Sequence, residues 1–358
     1  MGRHALLTVS GTIGSDRAEE AASGLRPRAD YIEMAKVFDA DLLDYGIAER
    51  DASRFGRLIL RVAGKNALLA WTCFRRSHDY HAVVTDGEQV GIPYATLAWL
   101  LPRSRRPTHS MIVHILSVRK KVILFRLLGL RHRVDRLFVY ASVQRDFAID
   151  ALHMRPERVS LTSFMVDSLF FAPDAATPAP RRMICSAGLE FRDYDTLAAA
   201  VIDLDVEVVI AAASPWSKRT TKIGEAATPA NITVCKLDLH SLRQLYADAL
   251  FVVMPLHDVE FQAGITTILE AMAMAKPVIC SRTRGQTDTI VDEETGLYVA
   301  PSDVAALRSA IVRMLDDPAL AERLGKSARR WIVEQADVDV YAHRLDNWIR
   351  ADVAALRR

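Results

Sequence analysis

One carboxylate, Glu270, stands inside the otherwise apolar run Ile265-Thr266-Thr267-Ile268-Leu269-Glu270-Ala271-Met272-Ala273-Met274-Ala275. An acid among such neighbours either meets a cation in the fold or holds a ligand, because an unpartnered buried charge is costly. The run follows a glycine, Gly264, and reads as a helix whose first amides, Ile265 to Thr267, are free to hold a phosphate. Two further groups carry chemistry-bearing side chains. Thr85-Asp86-Gly87-Glu88 follows a strand and opens a helix, so Asp86 and Glu88 either bind a ligand or cap the helix, with Asp86 the better cap. His114 closes Met111-Ile112-Val113-His114, where it is either a satisfied core histidine or a site residue at a carboxyl strand end.

These side chains need a scaffold of alternating strands and helices. Short apolar runs predict strands near 4–9, 39–44, 81–85, 110–115, 136–141 and 158–163, and again near 182–187, 206–212, 231–236, 250–254 and 277–280. The alternation implies an α/β protein with a parallel sheet in each half. Ala172-Pro173-Asp174-Ala175-Ala176-Thr177-Pro178-Ala179-Pro180 reads as the linker between them.

Size and composition agree. The 358 residues, 50% hydrophobic and 25% charged, suffice for two domains with their own cores. No apolar run approaches the roughly 20 residues that span a bilayer, and the opening segment reads as a first strand rather than a secretion signal. Cys73, Cys185, Cys235 and Cys280 fit no close-spaced metal pattern and read as small core residues in a reducing, cytoplasmic compartment.

The net charge of +2 conceals an asymmetry. Residues 1–172 hold 25 Lys and Arg against 18 Asp and Glu. Between Trp99 and Arg136 ten bases face one acid, Asp135, interleaved with Val122-Ile123-Leu124-Phe125 and Leu127-Leu128-Gly129-Leu130. This is either a basic amphipathic helix lying on anionic lipid, peripheral to the inner membrane face, or a core-packing helix with a solvated basic rim. No nucleic-acid-binding motif accompanies the charge.

The segment from Gln262 through Glu270 to Ala271-Met272-Ala273-Met274-Ala275-Lys276-Pro277-Val278-Ile279 resembles the retaining family-4 glycosyltransferases of the GT-B fold. So do Ser281 to Val291, Thr295-Gly296-Leu297-Tyr298-Val299 and Pro301-Ser302-Asp303. Upstream, Val166-Asp167 with Phe170 or Phe171 keeps the family's linker pattern, while the glycine-rich opening loop is reduced to Ser10-Gly11-Thr12-Ile13-Gly14.

The resemblance implies two Rossmann-like domains facing across a cleft. Residues 1–172 would bind the acceptor, 173–338 the nucleotide sugar, and a helix in 339–358 would cross back. It implies that Glu270 holds the ribose hydroxyls of a nucleotide diphosphate sugar. Gln262 stands where the family has a second Glu that contacts the transferred sugar. The diphosphate would lie against Gly264, Ile265, Thr266 and Thr267, with Arg192 as the first basic partner and Lys218 as a weaker one. Leu237 would line the base. In the first half, His114 would contact the sugar, and Glu88 the acceptor or the sugar.

The activity so implied is a metal-independent, retaining transfer from a donor, UDP-sugar or GDP-sugar, to an acceptor hydroxyl that can be lipid-linked. No Asp-x-Asp stands where a metal would be needed; Asp203-Leu204-Asp205 reads as a solvated turn. Leu189 replaces the family's first arginine of the phosphate loop, and Gln262 carries no charge. Both keep open a nucleotide-sugar-binding protein with little transfer activity, beside a nucleotide-sugar epimerase.

Overall fold

The computed structural model describes residues 4–102, 105–179, 181–212 and 229–356. Two compact units result: one from residues 1–20, 28–162 and 341–358, the other from 21–27 and 163–340.

The first unit contains β1 (Ala5–Thr8), α2 (Asp30–Phe38), β2 (Ala40–Leu43), α3 (Tyr45–Arg50), α4 (Arg54–Arg76), β3 (Ala82–Asp86) and α5 (Glu88–Leu97). These are followed by β4 (Thr108–Ile112), α6 (Arg119–Leu127), β5 (Arg136–Val139), α7 (Ser142–Asp150) and β6 (Val159–Leu161); α1 (Arg17–Ala22) lies between β1 and α2. The second contains β7 (Met183–Ala187), α8 (Tyr194–Val201), β8 (Glu207–Ala211), β9 (Ile232–Cys235), α9 (Leu239–Asp248), β10 (Val252–Met254) and α10 (Ile265–Ala273). It continues with β11 (Val278–Ser281), β12 (Gly296–Val299), α11 (Val304–Asp316) and α12 (Pro318–Trp331); α13 (Val338–Leu356) follows and belongs to the first unit from Tyr341 onward.

Each unit is built on a six-stranded sheet, ordered β2-β1-β3-β4-β5-β6 in the first and β12-β11-β10-β7-β8-β9 in the second. Every described pairing is parallel. Strands such as Ala82-Val83-Val84 and Val252-Val253-Met254 are buried on both faces, as apolar runs in parallel sheets are. The strand order reverses between β1 and β3, and between β10 and β7. The carboxyl ends of those strands are where open parallel sheets of this kind hold their ligands.

Three expectations change. Gly296 to Val299, absent from the strands expected from the sequence, is the edge strand β12, paired with β11 from Val278↔Gly296 to Ser281↔Val299. Phe170 and Phe171 are core residues of the second unit, so the division falls at 162/163, ahead of the proline-rich stretch. The basic stretch forms only the nine-residue α6, of which Phe125 alone is buried, and several of its bases are internal. Arg106 binds Asp135 through two hydrogen bonds of 2.8 and 3.0 Å in the core. Arg136 pairs with Asp352 and Arg126 donates to the Ala151 carbonyl.

Candidate functional site

In the second unit the loops after β7 and β10 meet at the strand-order reversal and enclose a cavity of about 470 Å³. Its lining includes Gly188 to Arg192, Leu237, Leu239, Leu242, Phe261 to Thr267 and Glu270. A cavity of this size suits a small-molecule ligand.

The α10 side is shaped by Gly264, which caps the helix in the left-handed region (φ 74, ψ 7) and leaves its first turn without any side-chain cap. The opening amides therefore present donors, and the positive end of the helix dipole, to the cavity. A Cβ at Gly264 would come within 2.9 Å of the Met254 sulfur and 3.2 Å of the Arg192 guanidinium. A Cβ at Gly188 (φ 94) would collide with the same guanidinium. Glycine at both positions thus makes room for Arg192.

Arg192 is held by backbone: Nε donates to the Ala187 carbonyl at 2.9 Å and Nη1 to the Glu190 carbonyl at 2.8 Å. Its sequence neighbour Asp193 does not pair with it. The Asp193 carboxylate instead caps α8 at Thr196 and accepts from Ser302. Burial lowers the Arg192 pKa, which marks a cation in need of an anion.

Glu270 is buried on the second turn of α10, and no Lys, Arg or His pairs with it among the described residues. Its one partner is the Tyr246 hydroxyl, donating to Oε2 at 3.0 Å. Burial pushes its pKa up to about 7, against the smaller opposing effect of that hydrogen bond. Lys276, the nearest base along the chain, is committed to the carbonyls of Ala247 and Ala249. Gln262 Oε1 is buried without a partner beside the cavity. Phe191 and Phe261 pack edge to face at 5.1 Å on the same wall.

One pocket thus gathers Arg192, Leu237, Gln262, Gly264, Ile265, Thr266, Thr267 and Glu270. Lys218 lies outside the described residues. Tyr246, Phe191 and Phe261 were not anticipated; only the apolar spacing of α9 marks Tyr246, and nothing in it points to its hydroxyl.

The first unit has its own cluster at the carboxyl ends of β3 and β4. His114 lies two residues beyond β4, its ring half exposed, with Nε2 3.0 Å from Asp86 Oδ1. Partial burial opposes its charged form, but Asp86, Glu88 and Asp30 outweigh this and raise its pKa. Asp30, which was not anticipated from sequence, has its own pKa pushed up to about 6 by burial and by Asp86. Asp86 is not the helix cap, since Gly87 occupies that position without a side-chain bond.

Glu88 is engaged within the first unit. Its carboxylate accepts from Lys121 Nζ at 2.7 Å and from the amides of Ile115 at 2.8 Å and His114 at 3.2 Å. Burial opposes its charge, yet these donors prevail and lower its pKa. A group so fully satisfied positions the loop that carries His114 and has little left to offer a substrate.

Residues 191–317 match the family described as Glycosyl transferases group 1. A 101-residue stretch is 36% identical to a glycogen synthase of Mycobacterium tuberculosis, covering 28% of this chain and 24% of that relative, so the match spans about a quarter of the relative's length. A longer match, 27% identical over 316 residues, covers 86% of the chain and 71% of an MMP alpha-(1->4)-mannosyltransferase of Mycolicibacterium hassiacum. Among solved structures, HepE of Anabaena with UDP and glucose superposes with a TM-score of 0.68 at 14% identity, covering 98% of this chain and 99% of that one. The fold is of the GT-B class: two Rossmann-like α/β units, each on a parallel sheet.

Proposed function

We propose that the chain is a glycosyltransferase that takes a nucleotide diphosphate sugar into the second unit's cavity and passes the sugar, with retention, to an acceptor hydroxyl. The observation that carries the reading is Glu270: a buried carboxylate without a cation, in the wall that also holds an uncapped helix start and a buried arginine. Two vicinal ribose hydroxyls supply the donors Glu270 lacks. The diphosphate supplies the anion for Arg192 and for the amides of Ile265, Thr266 and Thr267. The backbone at Leu237 lines the base, and Gln262 Oε1 accepts from a sugar hydroxyl. UDP in the Anabaena neighbour supports a UDP-sugar; a GDP-sugar is the other donor consistent with the site.

In the transfer the bond from the anomeric carbon to the phosphate oxygen breaks. The bond to the acceptor oxygen forms on the same face, and the acceptor's proton passes to the departing phosphate oxygen. The reading gives no metal a role: the growing charge is met by the start of α10 and by Arg192. His114, held by Asp86, contacts the sugar or the acceptor. The acceptor is lipid-linked in this reading, with the exposed Trp99, Leu100, Val118, Ile123, Leu124 and Leu127 beside Arg119 and Lys120 facing the membrane. No helix among the described residues is long and apolar enough to cross one.

A second reading, a nucleotide-sugar-binding protein with little transfer activity, draws on Gln262 in place of an acid and on Glu88 being committed to Lys121. Incubation with UDP-sugars and GDP-sugars in the presence of a chelator, with the product's anomeric configuration read by NMR, separates the two. An axial glycoside from an axial donor supports the transferase, an inverted product sinks the retaining mechanism, and tight binding without turnover supports the second reading.

A further inference from the structure

The first half of α4 has no part in either site. α4 leaves helical geometry at Gly64 (φ 82, ψ −177), and the helix breaks there. Beyond the break Leu68, Leu69, Ala70 and Cys73 pack into the first unit's core. Before it Ile59 and Leu60 still pack against that core, while Phe55, Leu58 and Val62 are 54%, 55% and 77% exposed. Their spacing of three and four sets them on one face of the helix. Arg54, Arg57 and Arg61 repeat that spacing one residue earlier, on the adjacent face, about 100° away.

All three arginines are exposed, none forms an ion pair among the described residues, and no acid occurs from Ala52 to His78. Only Lys65, at the break, is engaged, with Glu49 at 2.8 Å. Between Arg54 and Lys65 every hydrogen-bonding side chain is a cationic donor. Such a strip matches a surface that offers only acceptors and, beside them, an apolar interior. A polynucleotide offers the first without the second.

We propose that residues 53–64 are an in-plane anchor for the surface of an anionic phospholipid bilayer. Phe55, Leu58 and Val62 enter the boundary between headgroups and acyl chains, and Arg54, Arg57 and Arg61 meet the lipid phosphates. The proposal shares its partner with the reading of 99–136 but rests on different residues.

The test is flotation of the full chain with phosphatidylcholine vesicles with and without phosphatidylglycerol, combined with hydrogen exchange of the 53–64 amides. Binding is expected only with the anionic lipid, with slowed exchange at 53–64. The triple change Arg54→Glu, Arg57→Glu, Arg61→Glu is expected to lower partitioning on the order of a hundredfold at low salt. Phe55→Ser with Leu58→Ser and Val62→Ser should abolish the salt-resistant part, and urea melts of both variants establish that they fold. The comparator Arg119→Glu, Lys120→Glu separates the two surfaces. Loss of binding in the comparator with none in the α4 variants overturns this proposal and leaves the other standing; the converse does the opposite. No binding to anionic vesicles, or protection at 53–64 that needs only a high protein concentration, also overturns it, the latter in favour of a second copy of the chain.

Discussion

Glu88 and Glu270 are two glutamates in one setting: each is buried in the first turns of a helix that follows a strand at a sheet's carboxyl edge. Glu88 is surrounded by an ammonium and two amides, and its pKa falls. Glu270 has one tyrosine hydroxyl, and its pKa rises to about 7. Burial is common to both and marks neither as a site. The mark of a site is hydrogen-bonding capacity left unmet, which Glu270 shares with Gln262 Oε1 and with the Arg192 charge in the same cavity.

The contrast breaks most visibly on stability. Glu88→Ala removes the carboxylate on which Lys121 and the amides of Ile115 and His114 converge, and is expected to cost about 3 kcal/mol. Urea denaturation reads this, with nucleotide affinity in the folded fraction unchanged. Glu270→Gln removes a charge that burial opposes and is expected to stabilise the unliganded protein at pH 8.

The pH dependence sharpens the same point through its sign. Glu270 binds its proton more tightly folded than unfolded, so its contribution to stability falls as pH rises from about 4.5 to about 7, by about 3 kcal/mol. Glu88, with its lowered pKa, contributes stability that is present above the ordinary carboxylate value and lost as pH falls below it. Thermal melts of wild type and of Glu270→Gln across pH 5 to 8 should diverge in that window; parallel curves contradict the assignment.

In the proposed function the nucleotide needs the ionised Glu270 as acceptor, so affinity should rise about tenfold between pH 6 and pH 8 and level off above about 7. Binding near pH 7 should then release a proton, visible as a buffer-dependent enthalpy. The smallest effect is expected at Gln262. Gln262→Glu leaves the ribose and phosphate contacts in place, so UDP affinity should change less than threefold, a difference below about 0.7 kcal/mol, while turnover of the UDP-sugar moves more.

The strands were legible because parallel strands buried on both faces read as short apolar runs, and α10 because its lone acid interrupts such a run. β12 was not, because Gly296 opens it and an edge strand of four residues has the composition of a turn. The residues of the second unit's cavity could be grouped from the sequence because most of them follow strands directly in it. The role of Glu88 was hidden because its cation, Lys121, lies 33 residues away. The partner of Asp193 was hidden in the same way: its neighbour Arg192 suggests a pair, but the carboxylate turns to Ser302, 109 residues on. The pairing of Arg106 with Asp135 and of Arg136 with Asp352 was hidden because bases that form internal pairs look the same in sequence as bases that face water.

The central claim is that Glu270 is a ligand's acceptor rather than a tolerated core acid. Calorimetric titration at pH 8 of UDP, GDP and their sugars, with chelator present, into wild type and Glu270→Ala tests it most directly. The account predicts that one nucleotide series binds wild type and is weakened about tenfold to a hundredfold by the substitution, as loss of hydrogen bonds to a charged group requires. Equal affinity in both proteins would contradict it.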